Sequence, residues 1–358
     1  MENLCGGKTS MKEREVLIWW IDDDREHVEE AINLEKSNEN LKVTFMEPKD
    51  VTAGLKSLSV EDVPDLFLVD YFLNRRGKEK YQNQGLTMEG TIRENYPEHP
   101  VYGFTVAMEG EEKELRKIFS EIKQAAEERF DKILNFKDVQ RKGNDIYKDA
   151  LDHRRIRESE RGSLKELFQL IKAPEDVKER LKMILPDELH EGLATKGDME
   201  KPEGNAIAFA RWVRESLMTK PGFLYNRLYT ATHLGMTEEA FEGISGKFGD
   251  TKYNGVFHET EPLLWWVCRI DEILFSQDKA KDIENTKPLE VAPEVFEIPE
   301  GQRTKCAVCG EKYPETVGLN LDDEEEQSVH YKCSTVNRDK RGELYFDEPR
   351  CFVIKSDD

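Results

Sequence analysis

Short apolar runs that alternate with amphipathic stretches dominate residues 14–140 and constrain the fold more than any other feature. Each run is short enough for a buried strand, and most are followed by a polar loop and a helical pattern. The runs lie at 16–21, 42–47, 65–70, 100–105 and 130–136. Buried strands that alternate with helices form parallel sheets with helices on both faces. The sequence therefore predicts an α/β domain over residues 14–140, built on a doubly wound, five-stranded parallel sheet.

The rest of the chain shows a different periodicity. Residues 163–285 have helical periods and predict an all-α module, with Ser163 suited to cap its first helix. Residues 303–358 are predicted as a small zinc-binding module, for reasons of spacing given below. Three further segments are predicted as a leader or as linkers: a flexible leader (1–13), a charged linker (141–162) and a proline-rich linker (286–302).

The formal net charge of the 358-residue chain is −21 at pH 7. Proteins that bind nucleic acid or anionic membranes need positive charge to displace counterions, so this charge disfavours both kinds of partner. No apolar run approaches the length of a membrane span, and no signal-peptide pattern opens the sequence. The expected compartment is the cytoplasm.

Three consecutive aspartates, Asp22, Asp23 and Asp24, follow the first apolar run in the stretch VLIWWIDDDREH. Asp70 ends the third run and Thr105 ends the fourth. In an open parallel sheet, ligands bind beyond the carboxyl ends of the strands, where these side chains would gather. Clustered carboxylates tolerate one another when a hard divalent cation such as Mg²⁺ lies among them. The pattern predicts a magnesium site beside a carboxylate that can act as a nucleophile.

This ordered set resembles the receiver domain of two-component response regulators, which has a flavodoxin-like fold. The acidic pair that the family has after strand one is matched by Asp22 and Asp23, and its phosphoacceptor after strand three by Asp70. The resemblance implies that Mg²⁺ is bound by these three carboxylates and by the backbone carbonyl of Phe72. It also implies that Thr105 contacts the phosphoryl group that Asp70 accepts.

The family also places a lysine, followed by proline, after strand five. Here the segment FDKILNFKDV contains no proline; Lys137 is best placed at the strand end, and Lys132 is the alternative. The implied donor is a phosphohistidine on a histidine kinase or phosphotransfer protein, or a small phosphodonor. Two alternatives remain open: a receiver fold that takes no phosphate, and acids at 22–24 that only cap a helix start.

The C-terminal segment carries two close pairs of metal-ligating residues, Cys306-x-x-Cys309 and His330-x-x-Cys333. Without an export signal, such spacing predicts a metal site before it predicts disulfides. Thiolates and an imidazole suit tetrahedral Zn²⁺, and four protein ligands would make the site closed and structural. The stretch CAVCG resembles a zinc knuckle, and Cys351 is an alternative to His330 as the fourth ligand.

The favoured interpretation is an atypical response regulator, a phosphoaccepting signalling protein more than a conventional enzyme. Phosphorylation of Asp70 would switch a helical and zinc-bound output that contacts a protein partner. A nucleic-acid target is disfavoured because the acidic run 322–326 would repel a phosphate backbone. A homodimer through strands four and five and the helix predicted at 111–130 is a further expectation.

Two rival functions remain. One is an enzymatic effector that the receiver gates, such as a hydrolase or nuclease in stress or phage-defence signalling. His233 and His258, with nearby acids, are the candidate catalytic residues for that function. The other rival is a pseudo-receiver scaffold that is never phosphorylated.

Overall fold

The structure is a computed structural model, and it describes residues 15–58, 62–73, 84–105, 126–159, 164–186, 189, 205–283, 287–320, 322, 325–336 and 351–353. The predicted leader at 1–13 and most of the helix predicted at 111–130 lie outside these residues. The chain divides into two compact units, and each is treated by itself. Unit 1 comprises residues 1–161 and 195–210, and unit 2 comprises residues 162–194 and 211–358.

Unit 1 is built around a five-stranded sheet: β1 (Val16–Ile21), β2 (Leu41–Met46), β3 (Leu66–Asp70), β4 (Val101–Thr105) and β5 (Lys132–Asn135). The strand order is β2-β1-β3-β4-β5, and every neighbouring pair is parallel. This is the flavodoxin-like order, in which ligands bind at the carboxyl ends of β1 and β3. The doubly wound α/β fold predicted from the sequence is therefore confirmed.

Helices cover both faces of this sheet: α1 (Val28–Lys36), α2 (Pro48–Leu55), α3 (Gln84–Asn95), α4 (Phe136–Arg141) and α5 (Gly143–Glu158). Alternate residues of β1 point to opposite faces and so separate two apolar cores. Trp19 and Ile21 pack with α2 and α3, whereas Ile18 and Trp20 pack with α1, α4 and α5. Burial on both faces fixes the positions of the strands. It therefore also fixes the positions of the strand ends that carry the acidic residues.

The remaining described helices are short: α6 (Leu164–Leu170), α7 (Lys178–Ile184), α8 (Asn205–Trp212), α9 (Arg227–His233), α10 (Glu238–Ile244), α11 (Val267–Ser276), α12 (Asp278–Lys281) and α13 (Pro288–Val295). A two-stranded sheet of β6 (Leu224–Tyr225) and β7 (Trp265–Trp266) accompanies them. A helical region therefore follows the sheet domain, as predicted. Among the described residues, the helices are all too short or too polar to cross a membrane.

Residues 195–210, which the sequence assigns to the helical module, group with unit 1. Within unit 1, the Ala206 amide at the start of α8 donates to Glu98 Oε2 at 2.7 Å. An amide in the first turn of a helix has no partner within the helix, so a carboxylate from elsewhere in the chain can cap it. This long-range cap joins the start of α8 to the rest of unit 1.

The segment predicted as a proline-rich linker, 286–302, contains a packed helix, α13. α13 buries Val291, Ala292 and Val295 in the core of unit 2. Pro288 stands in the first turn, where the missing N–H of proline costs little. The prolines favour a linker, whereas the apolar residues spaced between them suit a helix that packs on the core.

The C-terminal sheet of unit 2 contains β8 (Thr316–Asn320), β9 (Glu325–Val329), β10 (Ser334–Val336) and β11 (Cys351–Val353), in the order β10-β11-β8-β9. Thr232 Oγ1 on α9 lies 2.6 Å from Ser328 Oγ on β9. The Thr237 amide donates to the Gln302 carbonyl at 2.9 Å. The helices and the C-terminal sheet therefore pack together in one unit.

The charged linker predicted at 141–162 is mostly α5, which belongs to the core of unit 1. Ile146, Tyr147 and Ala150 on α5 are buried against the sheet. Charged residues are usually solvated, which is why the segment was predicted as a linker. Here several of the charges are buried in ion pairs, so the segment differs from an exposed linker.

Asp65, directly before β3, anchors α5 at the amino-terminal edge of the sheet. Its carboxylate accepts hydrogen bonds from the Leu17 amide at 3.0 Å, from Arg154 Nε at 2.8 Å and from Arg157 Nη2 at 2.8 Å. All three charged side chains are at most 10% exposed. Burial opposes ionisation of Asp65, but the bonds from Arg154 and Leu17 and the two guanidinium charges hold its pKa below the usual value.

Replacing Asp65 with asparagine should lower the unfolding free energy by about 3–5 kcal/mol at neutral pH, because two buried guanidinium groups lose their anion. The folded-state pKa of Asp65 is lowered, so its contribution is present above the unfolded-state pKa. That contribution is lost as the pH falls through the folded-state pKa. Urea unfolding at a series of pH values should therefore show the gap between the two proteins shrinking in acid.

Arg155→Gln is the matched control on the same helix, since Arg155 pairs with Asp152 but is 52% exposed. Exposed pairs are worth little, and its loss should cost less than about 1 kcal/mol. Equal losses in the Asp65 and Arg155 variants would show that the buried cluster does not anchor α5.

Candidate functional site

The acidic residues that follow β1 and end β3 meet at the carboxyl edge of the sheet, because these two strands are neighbours. One carboxylate oxygen from each of Asp22, Asp23 and Asp70 lies within 4.8 Å of the others. Asp22 and Asp70 are buried, and Asp23 is half-buried. Mg²⁺ prefers oxygen ligands and keeps several waters, so a set of three carboxylates suits it. The donor set therefore fits a hard divalent cation.

Asp22 is held by hydrogen bonds on both of its carboxylate oxygens. Oδ1 accepts from the Asp24 amide at 2.8 Å. Oδ2 accepts from His27 Nδ1 at 2.7 Å and from Trp20 Nε1 at 3.4 Å. A buried carboxylate needs such donors, because it has lost its hydration. The orientation of Asp22 is therefore fixed by the protein.

Asp24 has a different role from its two neighbours. It caps the 3₁₀ turn at 25–27, where its Oδ1 accepts from the Glu26 amide at 3.0 Å. Its carbonyl accepts from the His27 amide at 3.0 Å, so the same residue closes the turn. The predicted alternative, in which these acids cap a helix start, therefore applies to Asp24. The carboxylates of Asp22 and Asp23 lie near Asp70 instead.

His27 contacts the acid cluster, although it belongs to no motif by which the sequence would reveal it. Its ring packs on Phe136, with the ring centroids 4.5 Å apart. The hydrogen bond to Asp22 raises the pKa of His27 above 6.5; burial opposes the shift, and the charges of Asp22, Asp24 and Asp70 add to it. The one signal in the sequence is a histidine in the turn that follows the acids.

The predicted phosphoacceptor and hydroxyl lie at the ends of neighbouring strands. Asp70 is 4% exposed, and its Oδ1 accepts from the Phe72 amide at 3.2 Å. Thr105 is the last residue of β4 and is fully buried. The Tyr71 amide donates to the Phe104 carbonyl at 2.9 Å, which continues the β3–β4 pairing to the site. A metal-binding role for the Phe72 carbonyl stays a prediction.

The two candidate lysines lie at different ends of β5. Lys132 begins the strand, in register with Tyr102, and its Nζ lies 3.2 Å from Asp149 Oδ2. Lys132 therefore lies at the edge of the sheet opposite the acids, away from the position that the alternative assignment requires. Lys137 lies in the first turn of α4.

Asn135 is the residue at the carboxyl end of β5, in register with Thr105. Asn135 is 7% exposed, and its Oδ1 accepts from the Lys137 amide at 3.1 Å, which caps α4. The strand end where the family has its lysine thus carries a buried capping amide. The prediction of Lys137 as the phosphate-pairing lysine remains untested.

Unit 2 contains a second cluster, in which one ligand atom each from Cys306, Cys309, His330 and Cys333 lies within 4.8 Å of the others. The first pair lies in a tight turn, where the Gly310 amide donates to the Cys306 carbonyl at 2.9 Å. Gly310 has a φ of +71°, in the left-handed region that favours glycine. In the second pair, the Cys333 amide donates to the His330 carbonyl at 2.9 Å. Three thiols and an imidazole fit a structural zinc site.

His330 is oriented to bind a metal through Nδ1. Its Nε2 lies 2.9 Å from the Lys312 carbonyl, and its Nδ1 lies 3.4 Å from Cys309 Sγ. An imidazole that donates one N–H to a backbone carbonyl presents its other nitrogen to a metal. Cys351 lies in β11, but its side chain is outside the described residues, so its role as an alternative ligand stays a prediction.

The thiols of this cluster differ in acidity. Burial opposes ionisation of Cys306, but hydrogen bonds from the Cys309, His330 and Val308 amides lower its pKa to about 6. Burial and the neighbouring thiols raise the pKa of Cys333 to about 11. Ionisation of Cys306 is thus favoured, and ionisation of Cys333 beside it is disfavoured. A bound divalent cation would stabilise both thiolates.

The two histidines proposed for an enzymatic effector make separate contacts within unit 2. His233 Nε2 lies 2.7 Å from Asp271 Oδ1, which joins α9 to α11, and its ring packs edge-on against Tyr225. His258 Nδ1 lies 2.7 Å from the Gly255 carbonyl of its own loop. Packing of helices and of a loop explains both contacts, so they add no support for a catalytic site.

Comparison with known proteins found similar solved structures. No family model and no curated protein matches the sequence. Similar solved structures include a CheY-like response regulator receiver domain protein from Methanospirillum hungatei JF-1, with 12% identity, a TM-score of 0.27 and coverage of 39% of this chain and 96% of that one. The signal receiver domain of an HD domain-containing protein from Pseudomonas fluorescens Pf-5 has 14% identity, a TM-score of 0.31 and coverage of 42% and 98%. The response regulator domain of Thermotoga maritima CheB has 12% identity, a TM-score of 0.27 and coverage of 39% and 96%.

Unit 1 has a flavodoxin-like fold. The three solved structures named above are receiver domains. At these identities and TM-scores the likeness supports nothing about activity. The fold assignment rests on the strand order β2-β1-β3-β4-β5 and on the parallel register of the sheet.

Gly85, in the first turn of α3, allows this helix to approach the backbone at Asp70 and Tyr71. A Cβ there would lie 2.6 Å from the Asp70 carbonyl oxygen and 2.7 Å from the Tyr71 carbonyl oxygen. Backbone atoms cannot rotate away as a side chain can, so a methyl group would displace the helix or the strand end. Glycine at the start of the third helix therefore serves the geometry of the site.

Gly85→Ala should destabilise the protein by about 1–3 kcal/mol, as overpacking does elsewhere. Gly90→Ala in the same helix is the control, because its Cβ would lie 3.1 Å from Arg129 Nη2, the end of a flexible side chain. That variant should be neutral or stabilising by up to about 1 kcal/mol, since alanine favours helix over glycine. Urea unfolding measures the unfolding free energy of both variants. Equal unfolding free energies for Gly85→Ala and Gly90→Ala would show that Gly85 has no packing role.

Proposed function

We propose that unit 1 is a receiver that accepts a phosphoryl group on Asp70, with Mg²⁺ bound by Asp22, Asp23 and Asp70. The observation that supports this most is the convergence of their carboxylates within 4.8 Å at the ends of β1 and β3. Largely buried like charges destabilise a fold unless a cation lies among them. Such clusters occur at functional sites more than at structural ones.

In this proposal, a lone pair of the Asp70 carboxylate attacks the phosphorus of the donor. With a phosphohistidine donor, the P–N bond breaks, its electron pair goes to the ring nitrogen, and that nitrogen takes a proton. Bound Mg²⁺ would neutralise charge on the transferring group. The Thr105 hydroxyl would donate to a phosphoryl oxygen of the product, and Lys137 would pair with another.

The donor would be a histidine kinase, a phosphotransfer protein or a small phosphodonor. The added charge would bias a two-state surface and change the output of unit 2 toward a protein partner. Zn²⁺ at Cys306, Cys309, His330 and Cys333 would be structural, because four protein ligands leave no open position. Homodimerisation through the β4–β5 face remains part of the proposal.

A receiver fold that is never phosphorylated is the second candidate function, and Asn135 favours it. Asn135 stands in register with Thr105 and caps α4, where the family has a lysine that pairs with phosphate. A neutral amide supplies less electrostatic stabilisation to a phosphoryl group than an ammonium does. In that function the acid cluster would bind a cation alone.

Incubation with Mg²⁺ and acetyl phosphate should add one phosphoryl group to the wild-type protein and none to Asp70→Asn, because a carboxamide is a poor nucleophile. Intact-mass spectrometry measures the adduct. Asp50→Asn is the control, an exposed aspartate on α2 that should be modified like the wild type. If neither acetyl phosphate nor a cognate kinase produces an adduct, the second candidate function replaces the first.

Metal analysis should find zinc bound to the wild-type protein and substantially less bound to Cys306→Ser, because serine is a poor ligand for Zn²⁺. Cys268→Ser is the control, since Cys268 lies outside the cluster. Unfolding of the Cys306 variant should also lose its dependence on added zinc. Equal zinc contents in the wild type and Cys306→Ser, or none in either, would contradict a zinc site.

A further inference from the structure

The lone pairs of Asp22 decide what this residue can offer to a cation. An ionised carboxylate has about four lone-pair positions. Three donors already occupy Asp22: the Asp24 amide on Oδ1, and His27 Nδ1 and Trp20 Nε1 on Oδ2. The shortest of these bonds is the one from His27, at 2.7 Å. The direction in which the remaining lone pair points therefore depends most on His27.

The protein holds His27 from two sides. Asp24 caps the turn at 25–27 and accepts the His27 amide, which sets the position of the backbone. The imidazole packs on Phe136, the first residue of α4, and its side chain is 17% exposed. A donor fixed by both its backbone and its ring loses little entropy when it makes its hydrogen bond.

The tautomer of His27 follows from its partner. A carboxylate only accepts hydrogen bonds, so Nδ1 must carry the hydrogen that joins it to Asp22. That hydrogen is present in the neutral Nδ1-protonated ring and in the imidazolium alike. The contact therefore does not depend on the charge of His27.

We propose that His27 is a positioning residue of the acid site, which fixes the Asp22 carboxylate so that one lone pair faces the cation. The inference rests on the proposed function, because it assumes that Asp22, Asp23 and Asp70 bind Mg²⁺. Groups that hydrogen-bond to metal ligands typically change metal affinity by about 10–100-fold when they are removed. Asp24 would then act through His27, as the cap of the turn that carries it.

Two substitutions of similar shape separate the hydrogen bond from packing. Asparagine carries an N–H at the same number of bonds from Cβ as Nδ1, whereas leucine places a methyl group there. Mg²⁺ affinity is measured by calorimetric titration of the full chain, and the unfolding midpoint in EDTA checks that each variant folds. We expect His27→Leu to bind Mg²⁺ about 10–100-fold more weakly and His27→Asn to bind within about threefold of the wild type.

The rate of phosphorylation by acetyl phosphate gives a second readout. His27→Leu should need more Mg²⁺ for half-maximal rate and reach a similar rate at saturation, because it alters binding and not the nucleophile. If leucine unfolds the protein, His27→Gln replaces it, since glutamine carries its donor one bond further from Cβ. That variant should bind Mg²⁺ more weakly than His27→Asn.

The outcomes separate this inference from the proposed function. Wild-type affinity in His27→Leu, or equal weakening in the leucine and asparagine variants, would overturn the role of His27 while Mg²⁺ binding stands. Asp23→Asn is the reference for direct loss of a ligand and should abolish binding. A wild-type protein that binds no Mg²⁺ would overturn the proposed function, and the role of His27 with it.

Discussion

The parallel pairing of β1 with β3 brings the carboxylates of Asp22, Asp23 and Asp70 together. The rest of the acid site depends on the electrostatic repulsion among these three groups. Two unit charges about 4 Å apart repel by about 4 kcal/mol at an effective dielectric constant of about 20. A hydrogen bond to a charged group returns about 1.5–3 kcal/mol. The donors on Asp22 and the Phe72 amide on Asp70 therefore orient the carboxylates and offset part of the repulsion among the three of them. A divalent cation would offset the remainder, so the electrostatics of the three carboxylates favour a metal at this site.

β3 has a buried aspartate at each end, and the charged groups around the two differ. Asp65 before the strand is neutralised by Arg154 and Arg157, cations of the same unit. Asp70 at the end of the strand lies among further carboxylates. A carboxylate paired with internal arginines has a fixed partner and suits a structural role. A carboxylate that needs an exchangeable cation can respond to the composition of the solution, which suits a switch.

The sequence predicted those features that depend on neighbouring residues. The apolar runs, the acids at their ends and the Cys-x-x-Cys spacing are local, so fold class and both clusters followed from them. Features set by tertiary burial did not follow: α5 resembles a solvated linker until its ion pairs with Asp65 are known. The residue at the end of β5 was also not predictable, because it depends on strand register. The alignment of Thr105 with Asn135 places an amide where a lysine was expected.

The two clusters differ in whether a bound ion would be permanent. In unit 2, four protein ligand atoms lie within 4.8 Å of one another, and four ligands complete the tetrahedron that Zn²⁺ prefers. In unit 1, three carboxylates would supply half of an octahedron, which leaves positions for the Phe72 carbonyl predicted as a ligand, for water and for a phosphoryl oxygen. Soft thiolates and hard carboxylates also select different metals, so neither site competes for the ion of the other. A closed zinc site would then hold the fold of unit 2 under all conditions, while the open site in unit 1 would exchange its ligands with each phosphoryl transfer.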